Sequence, residues 1–209
     1  MTGDTQTRQS TSEVFTHESY LVEKKIMSFS AMAEFHIYDP NGSVAFYSRM
    51  ELIKFSKLKK DIQIYTDKDM HTEILTIQAR QIIDFSAAYD VVDPTTNTKV
   101  GALKRKGMKS LLRDEWIIMD EEDREIGHIK EDTLLAGLLR RVSFLASLVP
   151  QTYRGELSGQ EICQFKQNHN PFVKKINVDF SMDRKGLLDR RLGIAGAVLL
   201  CAIEGKQSF

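Results

Sequence analysis

Two segments of the chain alternate between apolar and polar positions, which is the pattern of a β-strand with one buried face. The apolar positions of the first segment are Ile83, Phe85, Ala87, Tyr89 and Val91. Those of the second segment are Ile176, Val178, Phe180 and Met182. Because both segments keep a period of two, we expect each to form a half-buried strand.

An apolar strand start followed by a turn-forming acidic residue recurs along the chain. The four starts, each 27 residues after the one before, are Phe35, Ile62, Tyr89 and Trp116. A weaker fifth copy covers residues 152–167, with Gly159 in its turn. Asp39-Pro40-Asn41-Gly42 and Asp93-Pro94 supply the turn between the two strands of a hairpin. Repeated antiparallel hairpins close most simply into a barrel, because closure removes exposed strand edges.

A run of apolar residues and glycine covers positions 192–203, between Arg191 and Glu204. As a helix this run would rise about 18 Å, whereas the hydrocarbon core of a bilayer is about 30 Å thick. A short helix that is apolar on every side is typical of a protein core. We therefore predict a buried helix through 184–204, with Asp183 as its N-cap and Gly205 just beyond its C-terminus.

A second helix is predicted at 132–148, where apolar residues recur at helical spacing from Leu134 to Ala146. Pro150 follows and would end it. Such a helix would pack on the outside of the barrel or across its mouth. An amphipathic helix on a membrane surface is the alternative, although its polar face has few cations.

Charge, the N-terminal sequence and cysteine content narrow the kinds of partner, location and cysteine chemistry that we expect of this protein. Lys plus Arg and Asp plus Glu both total 29, so nothing in the net charge favours nucleic acid as a partner. Residues 1–19 are polar and lack the apolar region of a signal peptide, so we predict a flexible tail there and a single cytoplasmic barrel domain at 20–209. Cys163 and Cys201 form no CxxC pair and are predicted to be buried, unreactive thiols.

The sequence contains no recognisable catalytic or metal-binding motif. The five histidines follow no HxxxH or HExxH spacing, and we predict surface or turn positions for His17, His36, His71, His128 and His169. The acidic run 120–125 lacks the ligand order of a calcium loop and is predicted to be a solvated hairpin tip. Neither a Walker loop nor G-x-S-x-G occurs. We therefore expect no enzyme activity, no metal and no cofactor.

Basic residues are concentrated in two clusters of this neutral chain. The first, which we take as the candidate site for an anionic ligand, is Lys104, Arg105, Lys106, Lys109 and Arg113. The second is Lys54, Lys57, Lys59 and Lys60. Each cation near an anionic membrane contributes about 1 kcal/mol to binding. The alternative is that these lysines lie on solvated strand faces and prevent edge-to-edge pairing.

Successive hairpins followed by a strand and an apolar helix resemble the tubby C-terminal domain superfamily, which includes LURP-one-related proteins and phospholipid scramblases. The specific segments are 89–132, with its basic LKRK strand and a hairpin led by Trp116, and 176–205. The resemblance implies an α+β, mainly β fold, a closed antiparallel barrel of about twelve strands with the C-terminal helix through its centre. The helix at 132–148 would be an additional outer element.

The same resemblance implies a non-enzymatic binding or scaffold domain, peripheral to a membrane, that contacts anionic phospholipid, phosphoinositide or a protein partner. No phosphoinositide-contacting residue of tubby can be matched to a position in this chain. The cysteine-rich and calcium-binding stretches of scramblases are absent from the sequence. The alternative function is that of a membrane-associated, scramblase-like protein anchored by residues 192–203.

Overall fold

A computed structural model of the chain describes residues 15–27, 32–51, 61–80, 87–106, 115–132, 151–168 and 173–203. These residues form twelve β-strands and one α-helix. In chain order the elements are β1 Ser19–Met27, β2 Met32–Tyr38, β3 Val44–Glu51, β4 Ile62–Tyr65, β5 Glu73–Ala79, β6 Ala88–Asp93, β7 Thr98–Arg105, β8 Glu115–Met119, β9 Glu125–Glu131, β10 Thr152–Leu157, β11 Gln160–Gln167, β12 Lys174–Asp179 and α1 Arg190–Ile203.

The twelve strands form one closed antiparallel barrel in which each strand pairs with its neighbours in sequence. Pairing of β1 with β12 closes the ring, with Tyr20 opposite Val178 and Lys24 opposite Lys174. The predicted mainly β, closed antiparallel architecture is therefore confirmed. Closure also pairs the first and last strands, which would otherwise be exposed edges.

The repeat of 27 residues corresponds to successive hairpins of this barrel. Its starts lie on β2, β4, β6 and β8, and all are buried in the core, at 2% exposure or less. Tyr153 has the same place on β10, in the fifth hairpin, and is also buried. An inward-facing aromatic or isoleucine residue therefore lies in the first strand of each of these hairpins and packs in the core.

The acidic residue that follows each start shapes the hairpin turn. Asp39 Oδ1 accepts hydrogen bonds from the backbone amides of Asn41 at 2.9 Å and Ser43 at 2.8 Å. Asp93 and Asp120 each accept from two amides of their own turns in the same way. The predicted role of these residues as turn formers is confirmed, since a carboxylate that caps turn amides favours the tight reversal.

The barrel has two distinct ends because the strands run alternately up and down. The hairpin turns at 39–43, 66–72, 93–97, 120–124 and 158–159 lie at one end, which we call the tip end. The strand ends joined by residues 28–31, 52–60, 81–86, 107–114, 133–150 and 169–172 define the other, the connection end. The helix predicted at 132–148 falls in one of these joining segments and, beyond Asp132, lies outside the described residues.

Helix α1 is the predicted C-terminal apolar helix. Its side chains from Leu192 to Ala202 are at most 3% exposed. It packs against β1 and β12 and also against β6 and β7. Within the described ranges, no helix is both long enough and apolar enough to cross a membrane.

The predicted start of this helix is wrong. The helix begins at Arg190, and Asp189 is its N-cap, with Oδ1 accepting from the Arg191 amide at 2.9 Å. Asp183 instead accepts from the Leu187 and Leu188 amides at 2.8 and 3.0 Å, in the loop before the helix. Gly186, at φ +63°, turns the chain out of a right-handed helical path between these two aspartates. Gly205 lies outside the described residues.

Two glycines of α1 let the helix pack closely against neighbouring side chains. A Cβ on Gly193 would collide with the ring of Phe180. A Cβ on Gly196 would lie 3.2 Å from Ile129 Cδ1 and 3.6 Å from Phe165 Cζ.

Near the N-terminus of the chain, Phe15 packs on Phe46 with ring centroids 4.6 Å apart. The division into a tail at 1–19 and a domain at 20–209 stays a prediction.

Candidate functional site

The candidate basic cluster begins at the end of β7, where Lys104 and Arg105 lie on opposite faces of the strand. Lys104 is exposed on the outer wall of the barrel and is paired in register with Ile117. Arg105 follows the buried Leu103 by two residues and lies opposite the buried Trp116, so it is on the inner face. Burial raises the pKa of Tyr89 to about 12, and nearby Arg105 opposes this rise.

Lys106 lies just beyond β7 and is part of an ion cluster. Its Nζ is 2.9 Å from Glu115 Oε1. The same carboxylate oxygen is 3.4 Å from His128 Nδ1 and 3.9 Å from Lys130 Nζ. Among the described residues of the basic cluster, Lys104 is therefore exposed, Arg105 faces inward and Lys106 is ion-paired.

Lys109 and Arg113 lie outside the described residues, as do Lys54, Lys57, Lys59 and Lys60 of the second cluster. Their role stays a prediction.

Two lysines that the sequence analysis did not single out bind the C-terminal end of α1. Lys24 Nζ donates to the Cys201 carbonyl at 3.4 Å, and Lys174 Nζ donates to the Leu200 carbonyl at 3.1 Å. The alternation of Lys24 with the buried Tyr20 and Val22 is the signal that could have shown its inward direction.

Arginines at the N-terminal end of α1 are neutralised by aspartates. Arg190 Nη1 donates to Asp183 Oδ2 at 3.1 Å, and its guanidinium lies 4.5 Å from the centre of the Phe180 ring. Arg191 pairs with the N-cap Asp189 and donates to Asp93 Oδ2 at 2.9 Å. Cations at a helix N-terminus oppose the helix dipole, so these carboxylates restore a favourable charge there.

Two exposed hairpin tips bring together side chains of the type that bind metals. They are Asp67, Asp69 and His71 on the β4–β5 turn and Asp120, Glu121 and Glu122 on the β8–β9 turn. The solvated tip predicted at 120–125 is confirmed by the exposure of its turn. The first group was missed, although its D-x-D-x-H spacing was visible in the sequence. Asp67 and Asp120 already accept hydrogen bonds from amides of their own turns.

The prediction that every histidine lies on the surface or in a turn is wrong for His36. This residue is on the outer side of β2 but is only 2% exposed, with the Tyr47 ring centroid 5.4 Å away. Neither ring nitrogen has a hydrogen-bond partner, and Nε2 is 4.0 Å from Glu34 Oε2. Burial lowers the pKa of His36 below its ordinary value, and the positive charge of Lys25 acts in the same direction.

Both cysteines are free and buried, as predicted. Burial raises the pKa of the Cys163 thiol and of the Cys201 thiol to about 12. At neutral pH both groups are therefore protonated and poor nucleophiles.

Comparison with protein-family models, curated proteins and solved structures found no match to this chain. Assignment to the tubby-like superfamily therefore stays a prediction. It depends on the quoted segments 89–132 and 176–205.

Proposed function

We propose that the protein is a non-enzymatic binding domain of the tubby and LURP-one-related type. In this proposal the barrel holds its own C-terminal helix along its centre, and the basic end of β7 contacts anionic phospholipid. The observation that supports it most is the burial of α1, because a barrel filled by its own chain binds partners through its outer surface.

The contacts of α1 support a central position. The helix packs against β1 and β12 and also against β6 and β7, and β1 is six strands from β7 in a ring of twelve. Side chains from other strands reach it as well, since Gly196 lies next to Ile129 of β9 and Phe165 of β11. Barrels that bind small ligands keep an interior cavity for them. In this proposal the helix occupies that interior.

Buried charged groups support a structural use of the interior rather than catalysis. Lys24 binds the C-terminal end of α1, while Asp93 and Asp183 pair with arginines at its N-terminal end. Each of these groups therefore holds the helix in place.

The environment of Lys104 supports the choice of the β7 end as the surface that contacts lipid. It is exposed, and within the described residues no ion pair or hydrogen bond involves its ammonium group. Together with Lys106, Lys109 and Arg113 it forms the proposed contact with lipid phosphates, whereas Arg105 faces the inside of the barrel and takes no part in it. A cation without a partner in the protein can bind a phosphate without first breaking an ion pair.

Co-sedimentation with vesicles tests this function. Wild type should bind vesicles of phosphatidylcholine with phosphatidylserine more tightly than vesicles of phosphatidylcholine alone. The double variant Lys104→Gln, Lys106→Gln should bind the anionic vesicles about thirtyfold more weakly, at about 1 kcal/mol per cation.

The matched control is Arg184→Gln, Lys185→Gln, which removes two exposed charges from the loop before α1 at the tip end. It should bind like wild type. The lipid proposal would be wrong if wild type did not bind anionic vesicles more tightly than neutral ones. It would also be wrong if both double variants bound anionic vesicles equally weakly.

The scramblase-like alternative requires residues 192–203 to enter lipid. Burial of Leu192 to Ala202 within the folded chain favours the binding domain instead. Partitioning of the purified protein into a detergent-rich phase would revive the alternative.

A further inference from the structure

We propose that the protein meets an anionic phospholipid bilayer end-on, through a belt of cations at the connection end of the barrel. This inference rests on the proposed function and extends it. A contact through β7 alone would leave the barrel axis parallel to the membrane surface. A belt around one end places the axis perpendicular to that surface.

The belt consists mostly of exposed cations placed above less exposed carboxylates. Its ion-paired members are Lys25, Arg49, Lys106, Lys130 and Arg154, each 40–49% exposed. Their carboxylate partners are only 10–30% exposed and are Glu23, Glu34, Glu115, Asp132 and Glu161. An approaching surface therefore meets the positive member of each pair first.

Two further cations complete the belt. Within the described residues, the side chains of Lys104 and Lys166 are exposed, and their ammonium groups take part in no ion pair or hydrogen bond. Both can bind lipid phosphates without losing an internal partner.

The belt follows the connection end of the barrel. Each of its members on a strand lies within three residues of the strand end there, and Lys106 directly follows β7. Lys25 of β1 and Lys104 of β7 are six strands apart in the ring of twelve, on opposite sides of the barrel. A flat membrane beside the barrel reaches one of these lysines, and a membrane across its end reaches both.

The tip end has the opposite charge. Its five hairpin turns and the loop 180–189 together contain ten acidic residues and four basic ones, Lys68, Arg124, Arg184 and Lys185. The net charge of zero thus conceals a positive end and a negative end. An anionic bilayer attracts the first and repels the second, which orients the barrel before contact.

Three double variants, each lacking two positive charges, test the orientation on vesicles of phosphatidylcholine with phosphatidylserine. The first is Lys104→Gln, Lys106→Gln on the β7 side. The second is Lys25→Gln, Lys166→Gln on β1 and β11, where Glu23 keeps Lys175 as a partner at 3.5 Å. The third is the tip-end control Arg184→Gln, Lys185→Gln. Circular dichroism melts should show all three to be folded.

End-on binding predicts about thirtyfold weaker binding for both the first and the second variant, at about fivefold per cation. The control should equal wild type. Weakening of the first variant alone would overturn the end-on belt and leave the proposed function standing.

Two other outcomes also overturn the belt. Equal weakening of all three variants would mean that only net charge matters. Wild type that ignores the anionic vesicles would overturn the proposed function as well, and tight binding to a DNA duplex in that case would assign the cations to a different class of partner.

Discussion

Lys24 and Lys174 lie directly opposite each other across β1 and β12, and both donate hydrogen bonds into the last turn of α1. Like charges facing each other in a sheet normally repel. Here both ammonium groups bind the carbonyl end of the helix, which has a partial negative charge and unsatisfied acceptors. The pair therefore ties the closing seam of the barrel to the helix.

Replacing Lys24 by methionine should lower the free energy of unfolding by about 2 kcal/mol, because a buried carbonyl loses a charged donor. Urea denaturation measures the change. The matched control is Lys25→Met, which alters the next residue, on the outer wall and 47% exposed. It should change stability by less than about 0.5 kcal/mol. Equal losses in the two variants would contradict the role given to Lys24.

The two helix glycines should respond differently to alanine. Gly193→Ala should lower the free energy of unfolding by about 1–3 kcal/mol, because the new methyl group collides with the Phe180 ring. Gly196→Ala needs only a small shift of Ile129, and alanine gains about 1 kcal/mol in helix propensity. Its stability should therefore stay within about 1 kcal/mol of wild type. Thermal melts compare the variants, and a larger loss at Gly196 would refute this packing.

Asp93 joins the β6–β7 turn to the helix N-terminus, since its carboxylate accepts from both the Thr95 amide and Arg191. Asp93→Ala should lower the free energy of unfolding by about 3 kcal/mol, because it breaks a buried ion pair. Asp39→Ala removes a comparable turn contact at an exposed hairpin and should lower it by about 1 kcal/mol. Similar losses in urea denaturation would show that Arg191 adds nothing to the turn.

His36 should make the fold sensitive to mild acid. Its folded pKa lies below the ordinary value of 6.5, so the unfolded chain takes up a proton at a higher pH than the folded one. Its contribution to stability is complete above about pH 6.5 and is lost as the pH falls toward the folded pKa. Between about pH 7 and about pH 5, wild type should lose more stability than His36→Gln. Parallel losses, measured by urea denaturation at each pH, would exclude His36 as the cause.

The local pattern of apolar, polar and turn-forming residues was sufficient to predict much of the fold. The inward direction of Phe35, Tyr89 and Trp116 and the turn role of Asp39 depend on residues a few positions apart. The helix start was harder, because Asp183 and Asp189 are both good N-caps and only the turn at Gly186 separates them. The burial of His36 depends on Tyr47, which comes from the next strand.

The candidate site was predictable only in part. Strand alternation alone could have separated Lys104 from Arg105, since neighbouring residues face opposite sides. The pairing of Lys106 with Glu115 depends on the register of β7 with β8, and nothing in the local sequence specifies that register. The greater exposure of the cations over their carboxylates likewise depends on cross-strand packing.

The amino-acid sequence by itself determined the strand and turn periodicity, the short apolar helix and the equality of positive and negative charge. Tertiary structure decided which strands close the ring, which side chains meet the ends of the helix and how the charges divide between the two ends. The physical reason is distance along the chain: Lys24 and Cys201 are 177 residues apart, and Asp93 and Arg191 are 98 apart. Such contacts join residues that are far apart in the chain, so no local pattern encodes them.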